Sequence, residues 1–555
     1  METLAAIALA AAVSGVEAPV PADLVITAPA VITLDAAQPR ATALAVRDGR
    51  IVAVGSAADV KAHVGKDTRR IDLKEGAVVP GLGDAHLHVE SMGDALENID
   101  LVGAATLEEA VARVRAGAQS LPAGDWVRGR GWDQNDWPTK AFPTAAALDA
   151  ATGDRPAFLR RIDGHAGWAN TRALALAGIT AATTDPGGGR IMRDDEGRPT
   201  GVLVDAAMDL VAAKIPPASR DARKRRIARG LRAAAEAGLT SVHDAGVDLE
   251  AVALYKELLA EGPLPVRAYL MIRGPEEFLD NAASLKPEIG LGDGQLTVRA
   301  IKVVADGALG SRGALLLSPY ADEPTTRGLL TVEPTAFRRL LERAVALGFQ
   351  VNTHAIGDAA NRLVLDAYQQ AFGGEGAPGR RFRIEHAQVV SPPDVARFKS
   401  LGVIPSVQPT HCTSDMYWAT DRLGERRADG AYLWRTFLDL GLRLPAGSDA
   451  PVESVDVVPG LHAAVTRQDA KGWPKGGWRP SERVTAEEAL RMFSSDVAYA
   501  AFEEDDRGTI AVGKRADLTA LSRDVTAIPP ADVLGARVLL TVVGGRVVHE
   551  LRLRH

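Results

Sequence analysis

Between residues 77 and 446, short apolar runs recur, and several are followed by stretches with helical periodicity. This alternation constrains the fold more than any other feature. A strand that returns parallel to its predecessor needs a crossover of a dozen or more residues, usually a helix. The strand candidates are 77–79, 239–243, 266–271, 298–304, 349–354, 382–386, 403–407 and 442–446, and the helical period is clearest over 335–347, 359–372 and 393–401. Eight strands are the number that closes a (β/α)8 barrel, so the expected fold class is α/β with a TIM-like barrel. An open dinucleotide-binding sheet is the rival, but no glycine-rich fingerprint follows an early strand.

The flanks read differently. Apolar runs at 24–27, 43–46 and 50–54 have strand character, and Asp48-Gly49 between the last two is a hairpin-turn signal. Runs at 516–521 and 538–543, with Gly544-Gly545 turning into 546–548, repeat that character at the other end. The expected organisation is a leader over 1–21, a composite β-sandwich domain built from 22–79 and 505–555, and a barrel over 80–504. A subdomain inserted after the first barrel strand, about 97–220, is expected over the barrel mouth. A capping-box sequence, Thr106-Leu107-Glu108-Glu109, starts a helix within it.

Composition narrows the partners. Charged residues are 24% and the net charge is -7, which gives no reason to expect nucleic acid. The single cysteine, Cys412, makes no intrachain disulfide and excludes thiolate clusters; it reads as a small packed residue. Residues 4–13 form an apolar, alanine-rich run followed by small residues, as in a secretory signal, although Glu2 rather than a basic residue precedes it. Export to the periplasm or medium is expected if this leader is a signal peptide, and a cytoplasmic location otherwise. No other run is long and apolar enough for a bilayer, so the expected partner is a small molecule, with a homodimer left open.

Chemistry concentrates at strand ends. His86 and His88 stand at i and i+2 on an extended segment after Pro80-Gly81, so both imidazoles project to one side. His354, His386 and Asp449 close or follow three further strand candidates, and in a barrel all those ends converge on one mouth. Lys302 lies in an otherwise apolar strand, where an unpaired ammonium is costly. It therefore needs a partner or a modification, such as carboxylation to an anion.

These stretches carry a resemblance. PGLGDAHLH at 80–88, IKVVADGALGSRGA at 301–314, VNTHAIGDAA at 351–360, RIEHAQ at 383–388 and GSDAP at 447–451 resemble the amidohydrolase superfamily, specifically its family 3, YtcJ-like branch. The resemblance implies that His86, His88 and Asp449 hold a buried divalent metal, zinc by donor type, and that His354 and His386 hold a second. It places Lys302 at the bridging position, carboxylated in many relatives. One metal or two stays open.

With such a site, Asp449 is expected to take a proton from water and return it to the leaving amine. His165, His411, Arg312 and Trp132 are the expected substrate contacts. Trp137, Tyr417 and Trp418 are further pocket candidates, and His243 points either into the mouth or into the core. The expected reaction is hydrolysis of a non-peptide C–N bond: an amide, an N-acyl or N-formyl amine, or a cyclic amide. The alternatives are deamination, ester or lactone hydrolysis, and a metal-free binding barrel. Gly357, three residues after His354, stands where many deaminases of this type carry glutamate, which counts against deamination.

Overall fold

The computed structural model describes residues 20–551 apart from 123, 162–165, 187–188 and 311. The expected leader falls almost wholly outside the described residues, and so does His165. Two compact units emerge: residues 89–230, and the remainder of the chain on both sides of them.

In the larger unit the two ends of the chain share one sheet. Its order is Arg546–Glu550, Val538–Val543, Leu518–Leu521, Ala77–Pro80, Leu24–Ile32, Arg40–Arg47, Arg50–Gly55, with Arg69–Asp72 also paired to Leu24–Ile32. Both hairpin turns take the conformation their residues favour. Asp48 and Gly49 have φ of 50° and 75°, and Gly544 and Gly545 have 53° and 74°, the left-handed pair that a two-residue turn between twisted strands requires.

One expectation is corrected here. The run at 77–79 is not the first barrel strand. It lies between the N- and C-terminal parts of the terminal sheet, parallel to Leu24–Ile32 and antiparallel to Leu518–Leu521. Pro80-Gly81 marks the crossing from one sheet to the other. Gly81 donates its N–H to Asp517 O at 2.7 Å, and a Cβ there would lie 2.4 Å from Thr240 Oγ1. The first barrel strand is Leu82–Leu87, buried along its whole length.

Seven parallel strands follow one another in the barrel sheet: Leu82–Leu87, Leu239–Val247, Arg267–Arg273, Leu296–Val304, Gln350–Ala355, Arg383–His386 and Ile404–Ser406. The expected strand at 442–446 is not a regular strand, since proline at 445 has no N–H for a ladder. Residues 445–450 nevertheless bridge the gap by backbone bonds on both sides. Pro445 O accepts from Val407 N at 3.0 Å, Ala446 O from Ala85 N at 2.9 Å, and Asp449 N donates to His86 O at 2.7 Å. The result is a nearly closed parallel barrel sheet. Helices Pro334–Leu347, Asp358–Ala371 and Pro392–Leu401 follow strands four, five and six. Among the described residues no helix is long and apolar enough to cross a membrane.

The smaller unit is built on a six-stranded sheet. Its helix Leu107–Gln119 is capped by Thr106, which accepts from Glu109 N. Its core packs Trp132, Trp137 and Trp168 together, with ring centroids 6.0–6.4 Å apart. The expectation that Trp132 lines a substrate pocket is corrected: its side chain is fully buried and its Nε1–H donates to Leu159 O at 2.9 Å. Trp137 shares that core.

Candidate metal centre

Residues far apart in sequence meet at the C-terminal ends of the barrel strands. His86, His386 and Asp449 are all buried and offer donor atoms within 4.8 Å of one another, the donor set and spacing a metal ion needs. His88 joins through Asp449, with Nε2 3.1 Å from Oδ1, and His86 Nε2 lies 3.6 Å from the same oxygen. Lys302 reaches the group from strand four, Nζ 3.1 Å from His86 Nε2. The His354 ring packs on that of His386, centroids 4.6 Å apart, but its Nε2 is nearest Asp306, at 3.4 Å.

Local backbone geometry aims two of these groups. Strand alternation alone would send Glu385 and His386 to opposite faces. His386 and Ala387 instead adopt φ of 73° and 41°, ending the strand there, and Asp449 has φ of 59°. Such left-handed conformations are uncommon outside glycine and cluster at functional sites.

Three imidazoles have Nδ1 occupied. His86 Nδ1 meets Glu385 Oε2 at 2.6 Å, His88 Nδ1 meets Ala245 O at 2.7 Å, and His386 Nδ1 meets Gln408 Oε1 at 2.7 Å. Each acceptor fixes the Nδ1–H tautomer and leaves Nε2 with its lone pair, the state a metal-ligating histidine needs. His354 Nε2 and His411 Nε2 are buried with no hydrogen-bond partner, and Asp449 Oδ1 faces the Nε2 atoms of His88 and His86, which carry no proton in the tautomer just described. Buried polar atoms without partners are rare and call for an explanation, and an ion between them supplies one.

The electrostatics agree with that donor set. Burial, reinforced by Lys302, lowers His86 to about 4, so the ring is neutral at pH 7. Burial and the neighbouring His354 hold His386 well below the usual histidine value. Burial alone would raise Asp449, but His86 and His88 outweigh it and keep the carboxylate ionised. For Glu385 too, burial is outweighed, by Arg383 and His86, which hold it at about 2. Burial lowers Lys302, with Glu385 and Asp449 opposing.

Several supporting groups escaped the sequence reading. Asp84 accepts from His86 N, Ser448 N and Ser448 Oγ at 2.9, 3.0 and 2.6 Å, tying the first strand to the loop of Asp449. Burial, against these bonds, pushes it up to about 7. Asp306 accepts from the backbone of Leu315, Ile356 and Gly357, anchoring the loops beside His354. Arg383 and Gln408 belong to the same set.

The expected substrate residues separate. His411 adjoins the centre, its ring stacked on His386 at 5.7 Å and its Nε2 3.8 Å from Asp449 Oδ2. Arg312 is a correction: its guanidinium is paired with Asp322 at 2.9 and 3.2 Å, an ion pair between loop residues rather than a free anion receptor. His243 faces the core, fully buried, with Nδ1 accepting from Arg383 at 3.0 Å. Tyr417 is exposed and stacked on Trp473, and Trp418 lies beneath Arg422. Cys412 is buried and its thiol is pushed up to about 11, which makes it a poor nucleophile.

Similarity to known proteins agrees with this geometry. Residues 69–549 match the Amidohydrolase family. The YtcJ protein of Bacillus subtilis (strain 168) is 34% identical over 92% of this chain and 96% of its own length. The N-substituted formamide deformylase of Arthrobacter pascens is 31% identical over 95% of this chain and 98% of its own. The crystal structure of an uncharacterized metal-dependent hydrolase from Pyrococcus furiosus superposes with a TM-score of 0.74 at 29% identity, covering 91% of this chain and 99% of that one. The chain belongs to the amidohydrolase family, and it is a metal-dependent hydrolase.

Proposed function

We propose that this enzyme hydrolyses the C–N bond of an N-acyl or N-formyl amine or a cyclic amide. The observation that carries the reading is the convergence of Asp449 with His86, His88 and His386, three histidines whose Nδ1 atoms are engaged. N-formyl amines come first among candidate substrates because of the similarity to the formamide deformylase.

His86, His88 and Asp449 would hold one divalent cation, and His354 and His386 a second where two are present. An all-nitrogen and oxygen donor set suits zinc. When bound, such an ion supplies Lewis-acid activation of water and of a carbonyl near neutral pH. Lys302 as an ammonium would oppose a cation at His86, so loading goes with Lys302 neutral or carboxylated. Asp449, ionised among the histidines, accepts a proton from water and returns it to the departing nitrogen. His411, at the edge of the centre, is placed to contact the substrate carbonyl.

The test is a screen of the zinc-reconstituted enzyme, with products identified by mass. It covers N-formyl and N-acyl amines, N-acyl amino acids, cyclic amides, lactones and amino-purines. Release of an amine and an acid from an amide is expected. Ammonia from a ring amine, with no acyl cleavage, would overturn the assignment.

A further inference from the structure

Strands one and six are not neighbours in the barrel sheet, yet a chain of buried polar groups joins them across the interior. Glu385 Oε2 meets His86 Nδ1 at 2.6 Å. Arg383 Nε lies 2.7 Å from Glu385 Oε1, and its Nη2 donates to Oε2 at 3.0 Å. The same guanidinium donates to Ala85 O at 2.6 Å and Ser406 Oγ at 3.0 Å, and meets His243 Nδ1 at 3.0 Å. His86, His243, Arg383, Glu385 and Ser406 are all fully buried.

We infer that Glu385, held by Arg383, is a positioning residue that presents His86 Nε2 to the metal and thereby sets metal affinity. The inference rests on the proposed role of His86 as a ligand. Arg383 cannot shed its charge, so its burial requires an anionic partner. Glu385 is that partner, its Oε2 accepting from Arg383 Nη2 and its Oε1 2.7 Å from Nε, and as a carboxylate it can only accept from His86. The Nδ1–H tautomer follows, and with it an Nε2 lone pair on the side of Lys302 Nζ, at 3.1 Å, and Asp449 Oδ1, at 3.6 Å. The Arg383 bond to Ala85 O holds the backbone next to His86 as well, so ring and strand are fixed from one place. His88 and His386 lean on neutral acceptors, the Ala245 carbonyl and the Gln408 amide. Among these three imidazoles, only that of His86 is backed by a carboxylate.

The experiment uses the full chain as wild type, E385Q and E385D. E385Q keeps the shape and removes the charge. E385D keeps a partner for Arg383 and withdraws the oxygen from His86. Zinc affinity is measured by competition with a chromophoric chelator, folding by thermal melting of the metal-free protein, and kcat as a function of free zinc. Both variants should melt cooperatively without metal and bind zinc roughly 10- to 100-fold more weakly. Excess zinc should restore most of kcat. A folded variant binding zinc within about twofold of wild type would overturn the inference, since loss of such support costs at least tenfold. Wild-type protein that takes up no zinc tightly would instead overturn the metal role of His86 itself.

Discussion

Replacing Asp449 with asparagine separates holding a metal from moving a proton. Oδ1 of Asp449 lies 3.1 Å from His88 Nε2 and 3.6 Å from His86 Nε2, whereas Oδ2 faces His411 Nε2 at 3.8 Å. An amide oxygen can stand in for Oδ1, but an amide nitrogen cannot accept a proton. The backbone that carries the residue is held independently, by Asp449 N to His86 O and by Ser448 to Asp84. The variant should therefore fold and retain metal while losing the proton acceptor. General acid–base catalysis is worth on the order of 10²–10⁴ in rate, so kcat should fall by that factor. At 1.36 kcal/mol per decade, this corresponds to about 2.7–5.4 kcal/mol of barrier. The assay is steady-state kinetics on the best substrate from the screen, with bound zinc per chain counted by atomic emission. A zinc-loaded Asp449→Asn enzyme with kcat within about threefold of wild type would show that the proton moves elsewhere, because a lost general base costs far more.

Three further expectations concern the scaffold. Arg267 and Asp517 form a buried pair at 2.7 and 3.0 Å between the barrel and the terminal sheet; Asp517→Ala should cost about 3–5 kcal/mol by urea unfolding, and a loss below about 1 kcal/mol, typical of an exposed pair, would refute its buried role. Burial would raise Asp517 but Arg267 outweighs it and holds it below the usual range; this stabilisation is present above about pH 4, fades as pH falls through the lower folded value, and should be absent from the acid limb of the variant. Trp132→Ala should cost the smaller unit about 3–5 kcal/mol, seen as increased proteolysis within 89–230, whereas unchanged stability with a raised KM would restore the pocket reading. Arg312→Ala should leave the urea-unfolding midpoint essentially unchanged, its pair with Asp322 being solvated, and should leave KM unchanged; a large rise in KM would reinstate it as a substrate contact.

What was legible in the sequence was local. A histidine pair at i and i+2 after Pro-Gly, or a polar residue ending an apolar run, is visible in a few residues. The strand at 77–79 joins the terminal sheet because its partners are at 24–32 and 518–521, which no local pattern reveals. The run at 442–446 looked apolar enough for a strand, but a backbone position lacking an N–H reduced it to a bridge. Residue type and place in the chain point Trp132 and Arg312 toward binding, and packing and pairing decide otherwise. Glu385 sits beside a noticed histidine yet serves a different one, 299 residues earlier in the chain.

That last case is part of a pattern. Several strand ends carry the prop for a donor that belongs to another strand. Glu385 on strand six supports His86 on strand one, and Gln408 after strand seven supports His386 on strand six. Ala245 on strand two supports His88, and Asp84 on strand one holds the loop of Asp449 through Ser448. With supports exchanged in this way, none of these four strand ends can shift without displacing a donor it does not carry. Substitutions at two such positions share partners, so their effects on metal affinity should not add. The seemingly separate motifs of the sequence are, in three dimensions, one interlocked set. A motif-by-motif reading can therefore find the donors while missing what holds them in place.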